Sequence, residues 1–450
     1  MQASETVCHV TVASNFARAF DKYSRRYDKR AIAESTFPDR FFVLRRDELH
    51  IGAAKAAALL DKLALPGNRL VVLETRLDPA QLHPNLRTGK GRILQGTAIE
   101  VAGVHWLDAQ TQALVETSVE EVYALSLACL NPQLLPYAGL RPRTLSILPI
   151  ARACQASCRF CFSESSASLA QSARVVDPTQ LEPWLPAAVA AGAERFVITG
   201  GGEPGLLKHS SLVDLMQRAS RHFKKVVLIT NGVHMARHPA EHRQRIISDY
   251  VEAGLSVLSI SRHHWDAKGN AGIMGLDTGT ERVCETVCGL RALGCTLTLR
   301  LICVLQKGGV ETPDDIAAYL QWAVAQGVDE VCFKELYVST TLESAYHDRP
   351  ENAWSHASQV PLAELTGCLA QLGFAKTGEL PWGAPFFEGR VRGKLLRVAA
   401  YTEPSLYWER TRGVARSWNL MADGTCLASL EDPASVVRLP DAPPSATSAP

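Results

Sequence analysis

The chain has 450 residues, of which 46% are apolar and 21% charged, and its net charge is +1 at neutral pH. That length is enough to bury a substantial core and to hold two or three structural units. The balanced charge gives no electrostatic ground for nucleic acid or an acidic membrane as partner, and no apolar run approaches the roughly 20 residues that span a bilayer.

The first residues, Met1-Gln-Ala-Ser-Glu-Thr6, lack the basic start and apolar segment of a signal peptide. The twelve cysteines are scattered through a large chain, which is not the pattern of a secreted disulfide framework. A cytoplasmic protein with reduced thiols is expected.

Residues 1–140 read as an N-terminal mixed α/β or α+β domain. Strands are expected at Val7–Val12, Arg69–Glu74, Arg92–Val101 and Val104–Leu107, the last two with Ala102-Gly103 between them. Helices are expected at Asp47–Leu65, stopped by Pro66-Gly67-Asn68, and at Val119–Leu130, ended by Asn131-Pro132. The Asp-x-His-x-x-Gly pattern of a cobalamin domain is missing. Two basic clusters, Lys22 to Arg30 and Arg87 to Arg92, read as solvated faces or as contacts for a substrate or leader peptide.

From Thr144 the pattern becomes strand, loop, helix, repeated. Strands are predicted at Thr144–Ile150, Arg195–Thr199, Lys225–Thr230, Leu255–Ser261, Thr296–Leu305 and Glu330–Leu336. The intervening helices are Pro178–Ala191, Leu212–His222, Ala240–Ala253, Arg282–Leu293 and Pro313–Gln326. Apolar strands alternating with amphipathic helices predict a parallel sheet with right-handed crossovers over 144–340. A C-terminal extension over 341–432 is expected to cap it, with a helix at Pro361–Leu372 and strands at Val391–Tyr401 and Ser417–Leu430, the second turned at Asp423-Gly424. The Pro/Ala/Ser-rich stretch 433–450 reads as a disordered tail.

The first of these strands delivers Cys154-Gln-Ala-Ser-Cys158-Arg-Phe-Cys161. Thiolates are the ligands that iron–sulfur clusters favour, and three within eight residues let one loop wrap one cluster. Three ligands leave one iron of a [4Fe–4S] cube open to a substrate or cofactor. Zinc would need a fourth ligand, and the nearest downstream histidine is His209. Buried structural thiols are the remaining alternative. The end of the second strand carries Gly201-Gly202-Glu203-Pro204, roughly forty residues on.

These two motifs, in this order, resemble the signature of the radical S-adenosylmethionine (radical SAM) superfamily, over roughly Thr144 to Tyr337. The resemblance implies a partial (β/α)6, TIM-like barrel with functional groups at the strand C-termini. It implies a [4Fe–4S] cluster on Cys154, Cys158 and Cys161, and S-adenosylmethionine chelated to the open iron. Reductive cleavage would then give a 5′-deoxyadenosyl radical that abstracts hydrogen from a small metabolite, sugar or nucleoside. A ribosomal peptide or protein is the alternative substrate. An electron-transfer iron–sulfur protein that kept the fold is the alternative of another class. A flavodoxin- or ferredoxin-like donor would supply the electron.

For the cofactor the resemblance points to Phe160 near the adenine and to Gly200, Gly201, Gly202, Glu203 and Pro204 beside the methionyl group, Glu203 as an orderer of its loop. Ser261 and Arg262, with Ser259 as alternate, are candidates at the end of the fourth strand. Arg300 lies within an apolar strand and needs an anionic partner, either the cofactor's carboxylate or an internal acid. His263 and His264 read as a substrate-facing pair or as an exposed loop pair. Lys334 and Glu335 read as a substrate pair or an ion pair. Cys426 stands alone in a hairpin resembling one that carries auxiliary-cluster cysteines in relatives, so a second cluster is not expected.

Overall fold

The computed structural model describes residues 5–14, 42–63, 67–77, 100–118, 137–164, 173–339, 349–404, 406–433 and 435–439, with isolated residues in 121–129 and 344–346. The chain divides into two compact units, Met1–Leu134 with Val338–His347 and Leu135–Tyr337 with Asp348–Pro450.

The first unit is an antiparallel sheet of β1 (Glu5–Val12), β2 (Phe42–Arg45), β3 (Leu70–Leu77), β4 (Glu100–Leu107) and β5 (Leu114–Glu116), in the order β2-β1-β3-β4-β5. Helix α1 (Leu49–Leu63) lays Ala53 and Ala56 against Cys8, Val10 and Val72. Its alanine-rich face brings helix and sheet close. A Cβ on Gly52 would stand 2.1 Å from Leu44 Cδ1, so the contact requires glycine there.

Ala102-Gly103, expected to lie between two strands, is instead within the single strand β4. Glu74 faces Gly103 and Thr75 faces Val101, so the extra residue is absorbed as a bulge. A Cβ on Gly103 would lie 2.7 Å from His105 Nε2, which makes the glycine a close-approach residue rather than a turn former. Of Val119–Leu130, the described residues are helical. Both basic clusters, and the residues expected as strand at 92–99, lie outside the described residues.

The second unit begins with β6 (Arg141–Pro142) and then alternates as expected: β7 (Thr144–Ile147), α2 (Trp184–Ala190), β8 (Arg195–Ile198), α3 (His209–Ser220), β9 (Val226–Thr230), α4 (Ala240–Glu252), β10 (Leu255–Ser261), α5 (Thr280–Ala292), β11 (Thr298–Leu305), α6 (Pro313–Ala325) and β12 (Glu330–Glu335). Strands β7 to β12 are neighbours in that order, and all are parallel. Where one helix was expected over 178–191, Pro183 splits it into a 3-10 turn (Pro178–Leu181) and α2. Helix α6 starts sharply because Thr312 and Asp315 form a capping box with Pro313 in the first turn.

One face of each strand packs on the helices. Leu145, Ile147, Phe196, Ile198, Leu228, Leu258, Ile260, Leu299 and Leu301 join the core with side chains such as Leu215, Ile247, Val283 and Leu320. The other face is mixed. Ser146, Val197, Val227, Ile229, Arg300 and Ile302 line a cavity of about 710 Å³.

The C-terminal residues enter the same sheet at both ends. After α7 (Leu362–Gln371), β13 (Ala375–Glu379), β14 (Pro385–Val391) and β15 (Lys394–Tyr401) form a meander whose last strand runs parallel beside β12. After α8 (Leu406–Arg412) and β16 (Val414–Ala415), β17 (Trp418–Leu420) runs parallel beside β7 and turns back through β18 (Cys426–Leu427). The parallel set is therefore β17-β7-β8-β9-β10-β11-β12-β15, two strands more than the six expected. β19 (Val436–Val437) pairs with β18 and Val437 is buried, so the tail expected to be disordered from Pro433 begins too early. No helix of the described residues is long and apolar enough to cross a membrane.

Candidate functional site

The cysteine loop leaves the C-terminal end of β7 and is fastened by main-chain bonds. Gly202 N donates to Ile150 O at 2.7 Å and Glu203 N to Ala153 O at 2.7 Å. Ser157 N donates to Met274 O at 2.8 Å, and Cys161 N to Cys158 O at 3.1 Å. Ser163 Oγ adds a bond to Gly200 O at 3.1 Å. The loop and the glycine turn at the end of β8 are thus one unit.

The glycines have a packing reason within the chain as well. A Cβ on Gly201 would lie 2.6 Å from Ala151 O, and one on Gly202 2.2 Å from Ala153 O. A Cβ on Gly200 would meet Gly202 O at 2.0 Å. The close approach these residues permit is between the turn and the strand-to-cysteine segment, not only toward a ligand.

Glu203 closes the arrangement from below. It is 4% exposed. Its Oε1 accepts from Gly205 N at 2.8 Å and from Thr230 Oγ1, and its Oε2 accepts from Asn231 N at 2.8 Å. Burial pushes its pKa up, and these three donors pull it back. Both oxygens are used by the chain, so Glu203 orders the turn against the end of β9. Pro204 opens the short 3-10 turn that Glu203 caps.

None of the three thiols is in a disulfide; Cys154 is exposed and the other two are half-buried. Ala156 N donates to Cys154 Sγ at 3.4 Å. Burial, and then the charges of Cys161 and Cys154, push the Cys158 thiol up to about 12. Among the described residues no three His, Cys, Asp or Glu side chains stand as a preformed metal site. The fit to a [4Fe–4S] cluster therefore rests on donor chemistry. Three soft thiols share one loop, close enough to feel one another's charge, with no histidine to complete a zinc site.

Phe160, the aromatic of the loop, packs edge-on to His263 at 4.9 Å and lies 6.3 Å from Trp354. His263 is 3% exposed, so the pair expected at 263–264 is not an exposed one. Its Nδ1 accepts from Val304 N at 3.1 Å, and burial, reinforced by Arg262, lowers its pKa to about 3. It is a neutral packing partner. His264 Nδ1 accepts from Asp266 N at 2.9 Å, capping the turn before Ala267–Met274.

Both arginines have an acid of the chain as partner. Arg262 is 1% exposed, donates to His264 O at 2.7 Å and Trp265 O at 3.1 Å, pairs with Glu281 at 2.8 Å, and stacks 4.6 Å from the Trp322 ring. Arg300 pairs through Nε with Glu330 Oε2 at 2.8 Å. The partner Arg300 requires is an internal acid, because the register of β11 and β12 sets Arg300 directly opposite Glu330. Lys334 and Glu335 face opposite ways on β12, as strand alternation demands. Lys334 pairs with Glu403 at 2.6 Å, while Glu335 accepts from Leu362 N at 3.1 Å and Thr402 Oγ1 at 2.9 Å.

Ser259 behaves otherwise. Leu258 and Ile260 join the helix-side core, which turns Ser259 and Ser261 to the other face of β10. Ser259 is 0% exposed and its hydroxyl has no hydrogen-bond partner. A buried hydroxyl left unsatisfied inside the barrel is what a ligand's polar group would complete.

One more residue at a strand C-terminus belongs here. Asn231 is 4% exposed and donates to Gln155 Oε1 at 3.2 Å, within 3.9 Å of Cys154 Sγ. Its place, in Asn231-Gly232 at the end of β9, was the available signal. Cys426, the lone cysteine of its hairpin, is 1% exposed within the core.

A parallel α/β sheet carrying a three-thiol loop after its first strand, bolted to a glycine turn after its second, defines a site for a thiolate-held cofactor at the strand C-termini. Residues 148–323 match the model of the Radical SAM superfamily, and the chain carries a domain of that superfamily. Its members are enzymes that use a [4Fe–4S] cluster and S-adenosylmethionine.

Similar solved structures include native anSMEcpe with bound AdoMet (17% identity, 51% of this chain and 59% of that one, TM-score 0.35). Coproporphyrinogen III oxidase (HemN) from Escherichia coli, described as a radical SAM enzyme, is 14% identical over 54% of this chain and 56% of that one, with TM-score 0.34. HydG, a maturase of the [FeFe]-hydrogenase, is 10% identical over 52% and 50%, with TM-score 0.36. The match spans between half and three-fifths of the length of these proteins, and likeness at this level carries no argument about substrate. No curated protein matches the chain.

Proposed function

We propose that this protein is a radical SAM enzyme that abstracts hydrogen from a small molecule held in the barrel cavity. Cys154, Cys158 and Cys161 would hold the cluster, and Ser259 and Ser261 would meet S-adenosylmethionine from the end of β10. When bound, the cluster and S-adenosylmethionine together supply a 5′-deoxyadenosyl radical. The chain's own residues do the rest. Glu203 and the glycine turn fix the cysteine loop, Asn231 buttresses Cys154 through Gln155, and Phe160 with His263 seals one side of the loop.

The observation that carries this reading is the placement of the cavity. Gly200, Phe162 and Ser163 of the cysteine–glycine unit are also lining residues of the 710 Å³ space inside the sheet. Radical chemistry needs that adjacency, because a primary radical must meet its substrate before it meets solvent.

The test is anaerobic reconstitution. The protein should bind about four irons per chain and form 5′-deoxyadenosine when given reductant and S-adenosylmethionine. Replacing Cys154, Cys158 and Cys161 together by alanine should abolish both. Cleavage that survives in the triple variant refutes the assignment.

A further inference from the structure

The strands of the barrel begin at a cluster of positive charge. Arg195 opens β8, Lys225 immediately precedes β9, Arg300 lies near the start of β11, and Arg397 on β15 stands opposite Glu330 at the start of β12. All of them line the cavity, at the end of the strands away from the cysteine loop. Glu330 answers Arg300 and also Arg397, at 3.0 Å. Glu388 faces Arg397 across the β14–β15 ladder. Two carboxylates thus meet four cations. Outside the cavity Glu194, 64% exposed, pairs with Arg143 at 3.4 Å and is 3.8 Å from Arg195, which leaves the excess unchanged.

Two of the cations are incompletely satisfied. Arg195 Nε is buried with no hydrogen-bond partner. Lys225 has no ion pair or hydrogen bond from its ammonium among the described residues. Half-buried like charges repel, and the desolvation of each is left uncompensated. The effect shows on the groups themselves: burial, then Arg143 and Arg300, depress Arg195, and burial, then Arg300, depress Lys225. A protein interior keeps such an excess only at some cost in stability, and an anion in the adjoining space would relieve it.

We infer that the strand-start end of the cavity is an oxyanion subsite, in which Arg195, Lys225, Arg300 and Arg397 hold a phosphate or carboxylate group of the substrate. This deepens the functional reading above and rests on it for the word substrate. It makes the substrate an anionic small molecule, anchored at one end of the barrel with its reacting part toward the cysteine loop. Guanidinium forks suit either oxyanion, and Lys225 adds a compact charge.

The experiment is thermal unfolding of the full chain at constant ionic strength, titrated with inorganic phosphate and separately with succinate, for wild type and Lys225→Met. A ligand that binds only the folded state raises Tm. Wild type should respond to at least one probe, and the apparent affinity should fall about tenfold or more in Lys225→Met. Without either probe, Lys225→Met should be at least as stable as wild type, since it loses a charge that its neighbours repel. A response to phosphate alone, or to succinate alone, names the group recognised. No response in wild type beyond that to chloride, or an equal response in the variant, overturns the subsite. Should Lys225→Met fail to fold, Arg195→Met carries the same comparison. Formation of 5′-deoxyadenosine by the same preparations separates the two ideas. Its absence with oxyanion binding intact refutes the radical reading alone, and its presence with no oxyanion response refutes the subsite alone.

Discussion

The substitution Gly202→Ala asks why the glycine turn is glycine. The added Cβ would be 2.2 Å from Ala153 O, 2.7 Å from Ala153 N and 2.9 Å from Ala153 C. Ordinary contact begins near 3.4 Å, so turn and cysteine segment must part by roughly 1 Å, an overpacking that costs about 1–3 kcal/mol. The atoms met are backbone and cannot rotate aside. Parting them also stretches the bonds from Gly202 N to Ile150 O and from Glu203 N to Ala153 O, both 2.7 Å, each contributing about 1 kcal/mol. Cys154 follows directly, so the damage reaches the cluster loop. Iron per chain after anaerobic reconstitution should fall to less than half of wild type, and Tm should drop by several degrees. Colorimetric iron analysis and calorimetry measure these. Full iron and an unchanged Tm, with only S-adenosylmethionine affinity reduced, would refute the packing argument and restore ligand approach as the reason for the glycine.

Two further tests concern charge in the barrel. Arg300→Met leaves Glu330 with Arg397 at 3.0 Å, so unfolding free energy should fall by only about 1 kcal/mol; Glu330→Gln strands both arginines and should cost about 2–3 kcal/mol after allowance for partial exposure. Equal losses in urea unfolding would show that the shared carboxylate is not the hub. Glu409 is 3% exposed, and burial raises its pKa from 4.5 to about 8, against the pull of Arg416. The unfolded chain releases this proton at lower pH than the folded one, so its contribution is complete below about pH 4.5 and is lost as pH rises through 8, by at most about 5 kcal/mol. Glu409→Gln should remove that decline, with wild type and variant diverging between pH 5.5 and 8.5; parallel stability profiles would show that Glu409 is ionised in the folded state.

The parallel core was legible because each of its strands is an apolar run and each helix carries a stop signal. Leu255–Ser261 is found with the bounds the pattern implies. The cysteine loop and glycine turn were legible as motifs, since their chemistry resides in residue type and spacing. What the turn touches was not legible, because the contact of Gly202 with Ala153 joins segments about fifty residues apart. The partner of Arg300 was left open between two anions for a related reason. A strand position shows that an arginine needs an anion, but only the register with β12 shows that Glu330 stands opposite. The C-terminal strands were recognised as strands and assigned to a cap, because nothing local to Lys394–Tyr401 says which edge it joins.

That last point bears on how the cavity is enclosed. β15 and β17 occupy opposite edges of the parallel set and are not hydrogen-bonded to each other. Glu403, two residues beyond β15, and Arg416, two residues before β17, form an ion pair between these edges. Lys334 on β12 binds the other oxygen of the same carboxylate at 2.6 Å. Burial alone would raise the Glu403 pKa; Arg416 and Lys334 outweigh it and hold the group at about 2. A charge triad, rather than a backbone ladder, therefore joins the two edges. Its net contribution to stability is small once desolvation is counted, and its strength lies in fixing geometry. A ladder would bring the edges to the spacing of paired strands, about 5 Å. Side chains as long as glutamate and arginine hold them farther apart, and the wall between them is polar. The lining there includes Tyr337 and Glu431, which are hydrogen-bonded to each other, and Tyr337 packs edge-on to Phe162 of the cysteine loop at 5.5 Å. The residues the sequence assigned to a cap are thus a side wall of the cavity, and they carry its polar contacts to within one aromatic ring of the cluster loop.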